Sequence, residues 1–290
     1  MEGAHEGKGR NKALKIAVTG GKGGTGKSTV ATALAFELAK KGKVLLMDLD
    51  VDCPDDHLLL SIREKPVKDI MQTIPKWDMK KCIKCGKCSK ACLENAIVQI
   101  KGKYPIFIPE QCIGCNACRI VCPTGAIGKE KKKIGTILKG RGHGIDLITG
   151  EMEIGYEEAS PIVHATRKFA EKSGKYDYII IDTAAGTHCN AISALIGTDV
   201  AFAVTEPTPL GSHDLALMLD LLKVLKIPSN IVLNRADIGK ASFVERVSME
   251  SGSPIIASIP YSKAFLEAYS RGKPIEHESI RKIAGEAARL

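Results

Sequence analysis

Aromatic residues make up only 4% of this chain of 290 residues, and there is a single Trp. With so few rings, and no RNA- or DNA-binding motif beside its lysines, a nucleic-acid partner is not expected. Long apolar runs are also missing. None approaches the roughly 18 residues that a membrane-spanning helix requires. The opening MEGAHEGKGRNK has no apolar core of a secretory signal, so residues 1–13 read as a disordered tail. A cytoplasmic protein is the expectation. That compartment is reducing, which leaves ten cysteines to be explained by something other than disulfides.

At 44% hydrophobic residues the chain can bury a core as one large domain or two smaller ones. Its formal charge of +9 is unevenly placed. Residues 76–133 hold 13 Lys or Arg against 4 Asp or Glu, and the remainder carries 29 of each sign. The whole excess therefore sits in one segment, where it would attract an acidic protein.

The most informative stretch is GGKGGTGKST, residues 20–29, between the apolar LKIAV of residues 14–18 and an alanine-rich segment with helical spacing. A strand, a glycine loop and a helix in that order form a phosphate cradle. Gly21, Gly23, Gly24 and Gly26 let the backbone approach, Thr25 and Thr29 complete the nucleotide-binding loop, Lys27 bridges the outer phosphates, and Ser28 offers a hydroxyl to Mg2+. Lys22 adds a second lysine. The run KGGTGKS resembles the deviant Walker A loop of the MinD, ArsA and nitrogenase iron protein class of ATPases. That resemblance implies ATP and ADP as ligands, and a Lys22 that reaches the nucleotide of a second subunit in an ATP-dependent homodimer.

Eight of the ten cysteines form two runs, Cys82, Cys85, Cys88, Cys92 and Cys112, Cys115, Cys118, Cys122, each CxxCxxCxxxC, and Cys53 and Cys189 read as ordinary thiols. In two-cluster ferredoxins the fourth cysteine of each run ligates the other cluster. The crossing predicts one [4Fe-4S] site from Cys82, Cys85, Cys88 and Cys122 and a second from Cys112, Cys115, Cys118 and Cys92. Zinc would more usually take two separated CxxC pairs. Proline follows Cys122, whereas Leu93 follows Cys92, a departure from the ferredoxin pattern that leaves the ligand in place. KGKYPIFI, residues 101–108, reads as a strand of this small unit.

Along the rest of the chain, KVLLMDLDVD places Asp48, Asp50 and Asp52 just past a buried strand, on the edge where open α/β sheets bind ligands. The resemblance makes Asp50 the catalytic carboxylate and Asp48 a Mg2+ partner; Asp52 competes for either role. YDYIIIDTAAG, residues 176–186, resembles a Walker B strand with Asp182 on the Mg2+ shell and Gly186 at the γ-phosphate, although Ala184 and Ala185 stand where the family has prolines. A hairpin is expected at Thr149-Gly150, and a helix with Ser160 as its N-cap and Pro161 as its first residue, running to about Lys172. Asn234 and Arg235 stand where the resemblance places base recognition, and NRAD also approaches the NKxD of GTPases, with ATP the better match. The final SIRKIAGEAARL reads as a packed helix rather than a membrane anchor.

The resemblance implies a doubly wound, mostly parallel α/β P-loop NTPase (residues 14–76 and 134–290) with a small α+β 2[4Fe-4S] ferredoxin-like insert at residues 77–133. Its expected function is ATP hydrolysis with Mg2+, coupled to electron transfer from two clusters to an acidic redox or client protein. Two other functions stay open: an Fe-S carrier, or a positioning ATPase whose insert docks a partner or senses redox state.

Overall fold

The computed structural model describes residues 12–290; residues 1–11 of the expected N-terminal tail lie outside them. In chain order the strands are β1 Leu14–Thr19, β2 Val44–Leu49, β3 Glu64–Trp77, β4 Ile97–Val98, β5 Ile106–Phe107, β6 Ile127–Gly142, β7 Ile145–Met152, β8 Tyr178–Thr183, β9 Val200–Thr205, β10 Ser229–Asn234 and β11 Ile255–Ile259. The helices are α1 Lys27–Ala39, α2 Asp56–Leu59, α3 Lys87–Lys90, α4 Ala117–Ile120, α5 Ser160–Ala170, α6 Cys189–Leu195, α7 Pro209–Val224, α8 Ser242–Ser251, α9 Lys263–Ser270 and α10 Glu278–Arg289.

A nine-stranded sheet runs β11-β10-β9-β1-β8-β2-β7-β6-β3. The strands from β11 to β7 pair in parallel, and β6 and β3 continue the sheet antiparallel. The central strands read as unbroken apolar runs because helices cover both faces. Alternate residues of one strand feed opposite cores: Leu46 packs with Leu34 and Ile283, while Leu45 and Met47 pack with Ile162 and Val163. A third cluster gathers Ala17, Phe202's neighbours Ala201 and Ala203, and the apolar side of α7.

The parallel strands all point their carboxyl ends to one edge of the sheet. Across that edge β2 and β8 are in register with Asp48 opposite Asp182, so their side chains share one face of the sheet. β3 and β6 are the long strands, pairing from Glu64–Gly140 to Trp77–Ile127. They leave the sheet as a ribbon, and residues 78–126 at its far end hold all eight clustered cysteines, α3, α4 and the β4–β5 pair.

Three local expectations need correction. The hairpin lies at His143-Gly144, between β6 and β7, and Thr149-Gly150 is inside β7. His143 and Gly144 both take positive φ, 52° and 78°, as a tight primed turn demands; histidine is not a usual signal for it. Of residues 101–108 only Ile106–Phe107 is a strand. Helix α5 starts at Ser160 with Pro161 in its first turn, and Ala159 rather than Ser160 is the cap.

Helix α10 packs on α1 and β11, burying Ile280, Ile283, Ala284 and Ala287 while Leu290 is exposed. No helix among the described residues is long and apolar enough to cross a membrane. Ile283→Ala should lower the unfolding free energy by about 2–5 kcal/mol, the usual cost of a buried large-to-small change. Urea denaturation measures it; a loss under about 0.5 kcal/mol would mean that the helix is not part of the core.

Candidate functional site

The loop between β1 and α1 opens a cavity of about 430 Å³ at the carboxyl edge, lined by Gly23, Gly24, Lys27, Ser28, Asp50 and Asn234 among others. Gly26 sits at φ 91°, and a Cβ there would come within 2.3 Å of Asn234 Nδ2. Only glycine fits both conditions. Gly23 and Gly24 have open space where a Cβ would go, which keeps the backbone approachable from the cavity. The Asn234 amide donates to the Thr25 carbonyl at 2.8 Å, so the end of β10 braces the loop from behind.

Lys27 is 6% exposed, with Nζ directed back to the Lys22 carbonyl at 3.5 Å. Lys22 itself pairs with Glu206 at 2.6 Å, and Glu206 also meets Arg235 at 3.3 Å. The lysine expected to reach a second subunit is therefore held by its own chain. Glu206 belongs to the loop after β9 and was not among the residues expected to matter.

Beyond the glycine loop lie the acids. Asp48 and Asp182 are fully buried. Asp48 accepts from the backbone N–H groups of Asp50 and Asp56 at 3.2 and 3.1 Å, whereas neither carboxylate oxygen of Asp182 has a hydrogen-bond partner. Asp50 is half-buried on the cavity wall; Asp52 is exposed. Burial, then the charge of Asp182, pushes Asp48 upward. Burial raises Asp182 to about 7, against the pull of Ser28 and Lys27, and also raises Asp50. Gly186 N–H donates to the Gly20 carbonyl at 3.0 Å, tying the loop after β8 to the glycine loop. His188 caps α6 and Cys189 is exposed beside it.

At the far end of the ribbon two openings are lined by cysteines. One, of about 250 Å³, has Cys92, Cys112, Cys115 and Cys118; the other, of about 20 Å³, has Cys82, Cys85, Cys88 and Cys122. These are the two sets of four that the crossed pattern names. The halves repeat in backbone conformation as well. Lys84 and Gly114, Gly86 and Asn116, and Asn95 and Gly125, at matching offsets from their cysteines, all have positive φ between 53° and 78°. Such a run of left-handed residues wraps the chain around each opening.

Burial lifts the Cys88 and Cys112 thiols, and Cys118 to about 11. For Cys122 burial acts in the same direction but is outweighed by the N–H groups of Thr124 and Ala126, so its thiol lies low. Trp77 Nε1 is buried beside the smaller opening, where it favours the Cys88 thiolate. The ribbon also touches the larger one: Gln72 on β3 donates to the Cys112 carbonyl at 2.5 Å and accepts from the buried Tyr156 hydroxyl.

The comparisons fit this geometry. Residues 16–275 match the family model described as the CobQ/CobB/MinD/ParA nucleotide binding domain. An uncharacterized protein of Methanocaldococcus jannaschii, MJ0579, is 34% identical over 278 residues, covering 94% of this chain and 96% of that protein. The septum site-determining protein MinD of Escherichia coli K12 is 23% identical over 287 residues, 94% of this chain and 87% of that one. Among solved structures, MinD of Pyrococcus horikoshii complexed with Mg-ADP superposes with a TM-score of 0.61 at 21% identity, covering 96% of this chain and 97% of that chain.

The upward shift of Asp182 gives a pH dependence. Between its ordinary 3.8 and about 7 the unfolded chain loses this proton while the folded protein keeps it, so the contribution of Asp182 to stability falls as pH rises, by at most about 1.4 kcal/mol per pH unit. Denaturation of the nucleotide- and metal-free protein across that range should show a falling stability to which the raised Asp48 and Asp50 add, and Asp182→Asn should reduce the slope. An unchanged slope in the variant would contradict the assignment.

Proposed function

The chain belongs to the CobQ/CobB/MinD/ParA nucleotide-binding family, and from that premise we propose an ATPase whose nucleotide state governs two resident [4Fe-4S] clusters that pass electrons to a partner protein. The observation that carries the cluster part is the gathering of eight cysteines into two cavities with four in each.

The donor set fits the group. Four thiolates around a tetrahedral zinc, each at about 2.3 Å, would be about 3.8 Å apart. No three cysteine sulfurs among the described residues lie within 4.8 Å of one another. Openings ringed by more widely spaced thiolates suit a cubane better than a single ion. The buried Trp77 indole N–H beside Cys88 and the N–H groups around Cys122 supply donors to sulfur, and such hydrogen bonds set cluster potentials. Bound there, each cluster would store and release one electron. The segment's lysines offset the negative charge of thiolate-ligated clusters and favour an acidic partner.

In the ATPase half, the N–H groups of the glycine loop and Lys27 receive the phosphates, while Ser28, Asp48 and Asp182 hold Mg2+ and its waters. Asp50, half-exposed on the cavity wall, positions water for attack on the γ-phosphate, and Gly186 offers its flexible backbone to that phosphate. Asn234 and Arg235 line the cavity, where a base would lie. Lys22 must leave Glu206 to reach a second subunit, so homodimer formation breaks an ion pair within the chain. The insert, residues 77–133, and the flanking ATPase segments act as one unit through the β3–β6 ribbon.

The similarity to MinD favours a second reading, a positioning ATPase with the cysteine segment as a docking module. Two retained clusters separate the two readings. Anaerobically reconstituted protein should contain about eight iron and eight sulfide per chain and bleach with dithionite, since each cubane has four of each. Cys88→Ser and Cys118→Ser should each lose about half the iron, and Lys27→Ala should abolish ATP hydrolysis with the iron intact. Zinc in place of iron, or clusters handed to an apo-protein within one mixing, would overturn electron transfer as the function.

A further inference from the structure

After β2 the chain turns at Asp50–Cys53, where Cys53 N–H donates to the Asp50 carbonyl at 3.0 Å, and comes back to the strand it has just left. The return places Asp55 and Asp56 beside Asp48. One carboxylate oxygen from each of the three lies within 4.8 Å of the others. Asp48 and Asp56 are fully buried, and Asp55 is half-buried on the wall of the phosphate cavity.

The Asp56 carboxylate lacks partners altogether. Both of its oxygens are buried with no hydrogen-bond partner, and the charges that bear on it, those of Asp48, Asp182, Asp55 and Glu64, are all negative. A buried carboxylate without a donor or a counter-charge is strongly disfavoured. The donors of the trio are all carboxylate oxygens, with no histidine or cysteine among them, which selects a hard divalent cation over zinc or copper. Their spread is right. Oxygens around Mg2+ stand between about 3.0 Å (adjacent) and about 4.2 Å (opposed) apart and those around Ca2+ up to about 5 Å, from ligand distances of about 2.1 and 2.5 Å, so three atoms within 4.8 Å of one another can converge on one ion.

We propose that Asp48, Asp55 and Asp56 form a divalent-cation site that fills in the absence of nucleotide, distinct from the Mg2+ that a nucleotide would bring to Ser28 and sharing only Asp48 with that ion's water shell. The cation ties the returning loop to the end of β2. From that loop α2 leads to β3, whose first residue, Glu64, also faces Asp56 closely enough for their charges to interact. The site is thus placed to fix the segment that joins the phosphate cavity to the ribbon.

The test uses the full chain without nucleotide and Mn2+ as the probe, followed by loss of the free Mn2+ signal in EPR. One Mn2+ per chain should bind, excess Mg2+ or Ca2+ should displace it, and ADP should add a second ion rather than exchange the first. Asp56→Asn and Asp55→Asn should each weaken binding by at least about tenfold, the loss that even an outer partner of a metal ligand causes. Asp55 is half-exposed, so its variant keeps the test valid if Asp56→Asn fails to fold. No Mn2+ bound without nucleotide, or unchanged affinity in the Asp55 variant, would overturn the proposal. Neither result depends on ATP hydrolysis or on the contents of the cysteine cavities.

Discussion

The constraint on which the rest of this structure depends is the crowding of carboxylates beneath the phosphate cavity. Asp48 and Asp182 lie side by side at the ends of two parallel strands, and Asp56 is folded back onto them. The apolar sheet fixes the positions, so the repulsion cannot be relieved by moving the strands apart. Lys27 is the cation whose charge bears on Asp50 and Asp182. The protein is therefore built with a deficit of positive charge at this spot, which protons or metal ions make good.

The same segment leads outward. From Asp56 the chain passes through α2 to Glu64, which accepts from Thr149 at 2.7 Å, and then along β3 to Gln72, clamped between Tyr156 and the Cys112 carbonyl. Burial raises the Tyr156 hydroxyl to about 12, so it remains a donor at any physiological pH. Thus the loop around the larger cysteine cavity is anchored to a residue packed in the core of the nucleotide-binding domain beside Ile162 and Val163. A ribbon hydrogen-bonded along its length transmits displacement better than a flexible linker would, and that is the physical basis for expecting the two ends to communicate.

Much of this was legible in the sequence because it depends on local spacing. The glycine loop, the apolar strands and the two cysteine runs each declare themselves within about a dozen residues. What was not legible depends on contacts between distant residues. Glu206 reads as a loop acid until β9 is placed beside β1 and brings it to Lys22. Asp55-Asp56 reads as a polar turn, since nothing local says that the chain doubles back upon Asp48. Gln72 looks unremarkable in an exposed ribbon, and His143 at a hairpin turn gives no signal that glycine or asparagine would have given. The paired left-handed positions were partly visible in Gly86, Gly114 and Gly125, but Lys84 and Asn95 hid the repeat.

The proposed function requires the nucleotide cavity and the cysteine cavities to act as one device. The most direct measurement is the midpoint potential of the two proposed clusters, by anaerobic EPR titration of reconstituted protein, in its nucleotide-free, ADP-bound and ATP-analogue-bound forms. For a one-electron centre, about 59 mV is a tenfold preference between states, and by linkage the cluster's oxidation state must change nucleotide affinity by the same factor. A shift of about that size with the ATP analogue is the predicted result. Potentials that stay the same in all three states would contradict the account and leave two modules that share only a chain.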